Sequence, residues 1–256
     1  MKALNAACIF LMLITLSSCR PGSVEIFPIQ DNAKPRVMGR ALFPEASDSL
    51  IKELGLEDGV PSSVCAFLIK TDGKELLFDA ANGAADSRLM STLDSLGVGA
   101  EDIDYVFMTH LHGDHFGGLM YQGKVAFPNA EVFINKVEYD QWLPSDGAQN
   151  ERLRSIVDTY GDRIKVFAIG DSLPCDVVAE AAYGHTAGHT IYQVGDILIV
   201  GDIMHGVALQ KDHPEICASF DMDKESAVAS RKTVLNTAKE KNVRIYGMHF
   251  PPPYYL

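Results

Sequence analysis

His110-Leu111-His112-Gly113-Asp114-His115 sets three imidazoles and a carboxylate within six residues, directly after the apolar run Tyr105-Val106-Phe107-Met108. Burying ionisable groups this close together is costly unless they are paired or bind a metal. The run reads as a strand, and the residues after it read as a polar loop built to hold a cation. A packed core has no use for such a loop.

Three further segments have the same character. They are Gly184-His185-Thr186-Ala187-Gly188-His189, Gly201-Asp202 after Ile197-Leu198-Ile199-Val200, and His249 shortly after Val243-Arg244-Ile245-Tyr246. Each brings a His or Asp to the end of a predicted strand, from which a loop can present it to a shared cleft. Of the eight histidines, His110, His112, His115, His185 and His249 are candidate ligands. His189 is their neighbour; His205 and His213 remain. Imidazole and carboxylate donors without a thiolate suit zinc, and iron, manganese and cobalt accept the same set.

The surrounding pattern alternates strands and helices in two broad groups, which predicts an α/β protein with sheets flanked by helices. Residues 64–69 and 76–78, joined by Asp72-Gly73, read as a hairpin. Residues 85–96 have helical periodicity that stops at Gly97. Residues 132–134 read as a strand, followed by helices over 137–142 and 152–160. Residues 164–167 are expected to open the second group of strands, and a last helix spans 224–240. With 47% hydrophobic residues, the chain can bury a substantial core as one domain. A net charge of −12 with no basic run argues against nucleic acid as a partner.

Lys2, the apolar stretch 6–16 and Leu16-Ser17-Ser18-Cys19 read as an export signal over residues 1–19, too short to span a membrane stably. The last four residues resemble the lipobox of bacterial lipoproteins. This implies a lipid anchor on Cys19 and a place in the bacterial cell envelope or periplasm; a plain secretory signal is the alternative. Residues 20–40, with Pro21, Pro28 and Pro35, are expected to be a tether carrying one early strand, leaving 41–256 as the domain. Cys65, Cys175 and Cys217 read as small buried apolar residues.

The order HxHxDH, GHTxGH, GD and a late His resembles that of the metallo-β-lactamase-fold hydrolases. "FPNAEVFINKVEYDQW", "FDMDKES" and "GMHFPPP" resemble the branch containing quorum-quenching lactonases and methyl parathion hydrolase. The resemblance implies a four-layer αββα sandwich with two divalent metal ions along one sheet edge. In that pattern His110, His112 and His185 bind one metal, Asp114, His115 and His249 bind the other, and Asp202 bridges them. His189 then supports the ligands. Asp79 either orients a ligand histidine or is a turn residue ahead of Asn82-Gly83, and His205 either faces substrate or is a loop histidine. Relatives usually continue past the final histidine into a further strand, so the last edge strand is expected to be missing here.

The implied reaction is attack of a metal-bridging hydroxide on the carbonyl of a small ester or lactone, with Asp114 returning a proton to the leaving oxygen. Phosphotriester or β-lactam hydrolysis at the same site is the nearest alternative. A catalytically idle metal- or ligand-binding lipoprotein is another, though mere binding does not require an open two-metal centre. Trp142, Phe116, Phe220, Phe250, Tyr254 and Tyr255 are either pocket-lining or core.

Overall fold

A computed structural model describes residues 24–256; the expected signal, residues 1–19 with Cys19, lies outside them. The chain begins with β1 (Glu25–Gln30), β2 (Arg36–Met38), α1 (Asp48–Glu53), β3 (Val60–Ser62), β4 (Cys65–Thr71) and β5 (Lys74–Phe78). It continues through α2 (Leu89–Ser95), β6 (Tyr105–Phe107), α3 (Gly113–Phe116), β7 (Met120–Tyr121), β8 (Lys124–Val125) and β9 (Glu131–Asn135). Then come α4 (Lys136–Trp142), α5 (Ala148–Tyr160), β10 (Ile164–Phe167), β11 (Val178–Ala181), β12 (Thr190–Val194) and β13 (Ile197–Gly201). The helices α6 (Val207–Gln210) and α7 (Lys224–Lys241) precede β14 (Arg244–Gly247).

Two main sheets form, in the orders β1-β4-β5-β6-β9-β10 and β11-β12-β13-β14. Strand alternation sorts their side chains into layers. Phe67 and Ile69 of β4, Phe78 of β5, Phe107 of β6 and Phe133 of β9 face Tyr192, Ile197, Ile199 and Tyr246 of the other sheet. Phe107 stacks on Phe78 and on Phe133 at centroid distances of 5.2 and 5.1 Å. The alternate residues Leu68, Leu77, Val106 and Val132 face outward, against Leu89 and Leu93 of α2 and Leu153 and Ile156 of α5. Leu198, Val200 and Ile245 pack on Val234 of α7. The result is helix, sheet, sheet, helix, the expected αββα sandwich.

Three features depart from the sequence reading. Residues 25–38 are not a tether. β1 pairs antiparallel with β4 along its whole length, and β2 pairs with β3. Prolines are tolerated because β1 is an edge strand and Pro35 precedes β2. Second, β10 joins the first sheet, parallel to β9; the helices α4 and α5 form a crossover, which returns the chain to the sheet it left. Third, the helix predicted from residue 85 starts at Leu89, because the buried Asp31 accepts hydrogen bonds from the Ser87 hydroxyl and the Arg88 and Leu89 amides.

Beyond β14, Tyr255 makes one antiparallel bridge to Tyr246, and Leu256 exchanges both backbone hydrogen bonds with Ile245. Cys65 and Cys217 are buried, Cys175 is half-buried, and all three are free. Among the described residues no helix is long and apolar enough to cross a membrane.

Candidate metal centre

The topology explains why distant residues meet. β5 and β6 run parallel, as do β13 and β14. Their C-terminal ends release Asp79, His110, Asp202 and His249 on one edge of the sandwich. β12 is antiparallel to β13, so the loop before it, with His185 and His189, reaches the same edge.

His110 Nε2, His112 Nδ1 and His185 Nε2 form a triangle with sides of 3.0, 3.0 and 3.2 Å. Their partners fix two of the tautomers. The Thr109 hydroxyl donates to Asp79 Oδ2 at 2.7 Å, so its oxygen accepts the Nδ1–H of His110 at 3.0 Å. His185 Nδ1 donates to Asp221 Oδ1 at 3.1 Å. Both Nε2 lone pairs therefore point into the triangle, where they repel unless a cation lies among them. Nitrogens bound tetrahedrally to zinc at about 2.0–2.1 Å sit roughly 3.3–3.4 Å apart, close to this spacing. Burial, above all, pushes the pKa of His112 and of His185 down to about 4 and that of His110 well below the ordinary value. Three neutral donors result.

The second corner holds Asp114, His115 and His249. His115 donates Nδ1–H to Asp79 at 2.6 Å, and His249 donates its own to the Ser63 carbonyl at 2.7 Å. His249 Nε2 lies 3.5 Å from Asp114 Oδ2, and His115 Nε2 lies 3.8 Å from Asp114 Oδ1. Asp202, only 2% exposed, reaches both corners. Its Oδ1 is 3.4 Å from His115; its Oδ2 is 3.4 Å from His185, 3.7 Å from His110 and 3.0 Å from His249. His115 Nε2 and Asp202 Oδ1 are buried without a hydrogen-bond partner among the described residues. Such atoms are stabilised by a cation between them, and the donor set fits one in each corner.

Here burial is outweighed by charge. Burial lowers the pKa of His115, but Asp202, Asp79 and Asp114 raise it well above the ordinary value. Burial also opposes protonation of His249, and Asp202 overcomes it. Asp202 itself would be raised by burial, yet His115, His249 and His205 hold it well below the usual carboxylate range.

The remaining expected residues have clear places. His189 uses both nitrogens away from the centre: Nδ1 donates to the Ala182 carbonyl at 3.1 Å, and Nε2 accepts the Asp202 amide at 3.0 Å. It orients Asp202. Gly201, at φ +53°, allows this contact, since a Cβ there would meet His189 Nε2 at 2.5 Å. Asp79 holds His115 and Thr109 together. His205 Nε2 lies 3.2 Å from Asp202 Oδ2, and its buried Nδ1 has no partner among the described residues. His213 is half-buried and pairs with Glu215 instead.

Several residues were not found from sequence. Glu138 of α4 is buried while its neighbour Val137 is exposed. It accepts from Leu111 N at 2.9 Å, between the first two histidines, and from Thr186 Oγ1 and Gly188 N at 2.8 Å each. One carboxylate thus ties two ligand loops together. Gly188 permits the approach, because a Cβ would lie 2.2 Å from Glu138 N. Asp221 links His185 to Arg231 of α7, whose buried guanidinium also donates to the Ile203, Pro214 and Ile216 carbonyls. Arg231 falls on the α7 stripe with Ala227 and Val234, and a charge on a core-facing stripe is the signal that a buried acid awaits it.

A cleft of about 250 Å³ opens onto the centre between Arg36, Met38, Gln149 and Phe220. Of the aromatics considered, only Phe220 lines it. Phe116 and Phe250 are core, and Trp142 sits edge-on to His112 at 5.3 Å.

An αββα sandwich with buried His and Asp donors at the floor of a cleft defines a metal-dependent hydrolase. The family model of the metallo-beta-lactamase superfamily matches residues 59–249, and the chain belongs to that family. The solved structure of AbOPH, a hydrolase in the beta lactamase superfamily, superposes with a TM-score of 0.81 at 28% identity, covering 92% of this chain and 90% of that one. AidC, a dizinc quorum-quenching lactonase in complex with a product, gives 0.80 at 27% identity, with the same coverage. The anti-Pycsar protein Apyc1 of Saccharibacillus brassicae is 27% identical over 165 residues, 61% of this chain, which spans 64% of that relative's length.

Proposed function

We propose that the chain is an exported hydrolase of small esters or lactones that works with two divalent metal ions, zinc first among them, and is tethered to the cell envelope by a lipid on Cys19. One observation carries the reading: seven donor residues form two corners joined by the single carboxylate of Asp202, beneath a cleft large enough for a small molecule. The similarity to a dizinc lactonase supports the substrate class. His110, His112 and His185 would hold one ion and Asp114, His115 and His249 the other, with Asp202 shared. Such a pair supplies a water acidified toward about pH 7 and polarisation of the carbonyl.

The protein side of the reaction follows from placement. Asp114 is 32% exposed at its side chain, whereas Asp202 is 2% exposed. Burial pushes the Asp114 pKa up, but His115 and His249 outweigh it and keep it below the ordinary value, so Asp114 is a carboxylate at neutral pH. It can accept the proton of the attacking water and return it to the leaving oxygen, directly or through a second water. His205 lines the same cleft and is placed to contact the substrate there. Phe220 gives the acyl or alcohol portion an apolar surface.

Metal analysis of purified protein, combined with a panel of lactone, aryl ester, phosphotriester and β-lactam substrates, tests this. Two equivalents of zinc with lactone or ester turnover is the expected result. One iron and no hydrolysis overturns it, and a sole preference for phosphotriester or β-lactam reassigns the substrate.

A further inference from the structure

The cleft carries one guanidinium, contributed by a segment whose sequence reads as a tether. β2 is only three residues long, yet its position is fixed by pairing: Arg36 lies opposite Ser62 and Met38 opposite Val60. The next residue, Ser63, accepts the ring N–H of His249 through its carbonyl, and Ser63 N donates to the His249 carbonyl. Arg36 is therefore held in register with a residue of the centre through two short steps of backbone. Strand alternation places Arg36 and Met38 on the same face, and both line the cleft, while Val37 points away. Met38 is buried, so it anchors the strand and leaves Arg36 exposed at the rim.

Charge completes the argument. Histidines of the centre apart, the charged side chains that line the cleft are Arg36, Asp114 and Asp202, and the two carboxylates face those histidines. Among the described residues no carboxylate lies within ion-pair distance of Arg36, whereas Arg40 on the same segment pairs with Asp48. A guanidinium held at a cleft mouth without a protein partner presents a planar fork suited to an oxyacid group. The net charge of −12 makes a retained, unneutralised cation at this point more telling.

We infer that Arg36 is a specificity-determining residue, and that the substrate is an ester or lactone bearing one oxyanion group, a carboxylate or a phosphate, apart from the bond that is cleaved. The inference rests on the proposed hydrolysis and narrows it from small esters and lactones in general to those bearing one anionic group.

The test compares three esters with one leaving group: 4-nitrophenyl pentanoate, its ω-carboxylate analogue mono-4-nitrophenyl glutarate, and the corresponding ω-phosphonate. Zinc-loaded protein is expected to favour an anionic ester at least about tenfold in kcat/KM, equivalent to about 1.4 kcal/mol. The better of the two identifies which oxyacid is read. Arg36→Ala removes the preference mainly through KM, Arg36→Glu inverts it, and Arg36→Lys restores part of it.

Binding of the uncleavable pair N-phenylglutaramate and N-phenylpentanamide, measured by calorimetry, separates the two readings. If no ester is hydrolysed, the reaction assignment fails, and tighter binding of the anion that is lost in Arg36→Ala still upholds the inference. Equal handling of neutral and anionic members by the native protein, or a preference that survives Arg36→Ala, overturns it. Metal content of each variant confirms that the centre is intact.

Discussion

The two corners of the centre each draw two ligands from the same six residues, His110 to His115, yet they are held ready by opposite means. His110, His112 and His185 are kept neutral by burial, and the Nε2 lone pairs of His110 and His185 are already turned inward by Thr109 and Asp221. His115 and His249 are surrounded by Asp79, Asp114 and Asp202, which favour their protonated forms. In the metal-free chain a proton stabilises the second corner where a cation would otherwise do so. The first corner has no such substitute. Adjacent residues can thus serve two sites because the charge around each is set by partners distant in sequence, not by the motif itself.

Removing the shared carboxylate has the largest expected effect. Asp202→Ala should release metal from both corners and reduce turnover to background, while His112→Ala and His249→Ala should each empty one corner first. Elemental analysis after dialysis measures this. Full activity in Asp202→Ala would break the assignment of a joined centre. At the next level, Asp221→Asn and Asp79→Asn remove the groups that orient His185 and His115. Each should weaken metal binding about 10–100-fold, the usual cost of losing such a partner, and each mainly at its own corner. Chelator competition distinguishes them.

Acid separates the corners by sign. A histidine whose folded pKa is depressed, from 6.5 to about 4 for His112 and His185, stays unprotonated until the pH nears that value; its contribution to stability is present above about 6.5 and lost as pH falls. A histidine whose folded pKa is raised, as for His115 and His249, contributes stability to the metal-free fold that is present below about 6.5 and lost as pH rises through the folded value. Protons compete with metal for the same nitrogens. As pH is lowered, the Asp114, His115 and His249 corner should therefore release its ion first, and the other should hold until the pH nears about 4. Stepwise dialysis with metal analysis checks the order, and simultaneous release would show that the corners do not differ in this way.

The candidate ligands were legible because His110, Asp202 and His249 each follow an apolar strand by one to three residues and the other histidines cluster in short polar motifs, a local signal that survives without knowledge of the fold. The two sheets were legible as alternation. What escaped the sequence acts across long separations. Glu138 reaches Leu111, Thr186 and Gly188 from a helix whose apolar residue Val137 faces solvent, so its pattern disguises it. Ser63 acts through a carbonyl, which no side chain announces. Arg36 lies in a proline-flanked stretch too short for periodicity, and only its register with β3 places it. β10 lies in the first sheet and not in the expected second group, because pairing of parallel strands depends on the crossover between them, not on the strand residues.

Glu138 gives a finer test of the same contrast, since it braces the loops of the first corner and touches nothing in the second. Glu138→Gln keeps the shape but turns an amide donor toward either the Leu111 N–H or the Thr186 and Gly188 donors, leaving a buried donor unsatisfied at a cost of about 1–3 kcal/mol. Burial already pushes the Glu138 pKa up against those hydrogen bonds, so the carboxylate has little stability to spare. The first corner should lose affinity while the second retains it. The smallest direct effect on metal affinity is expected from Gly188→Ala, which removes no ligand and no hydrogen-bonding group. The added methyl would contact the Glu138 backbone, and the displacement should cost about 1–3 kcal/mol of stability as an overpacked site does, read as a lower Tm in the metal-free protein. Metal restores part of that loss if the loops are pulled back together by His110, His112 and His185. If added metal leaves the Tm deficit unchanged, the strain is borne by α4 and the brace does not set the spacing of the first corner.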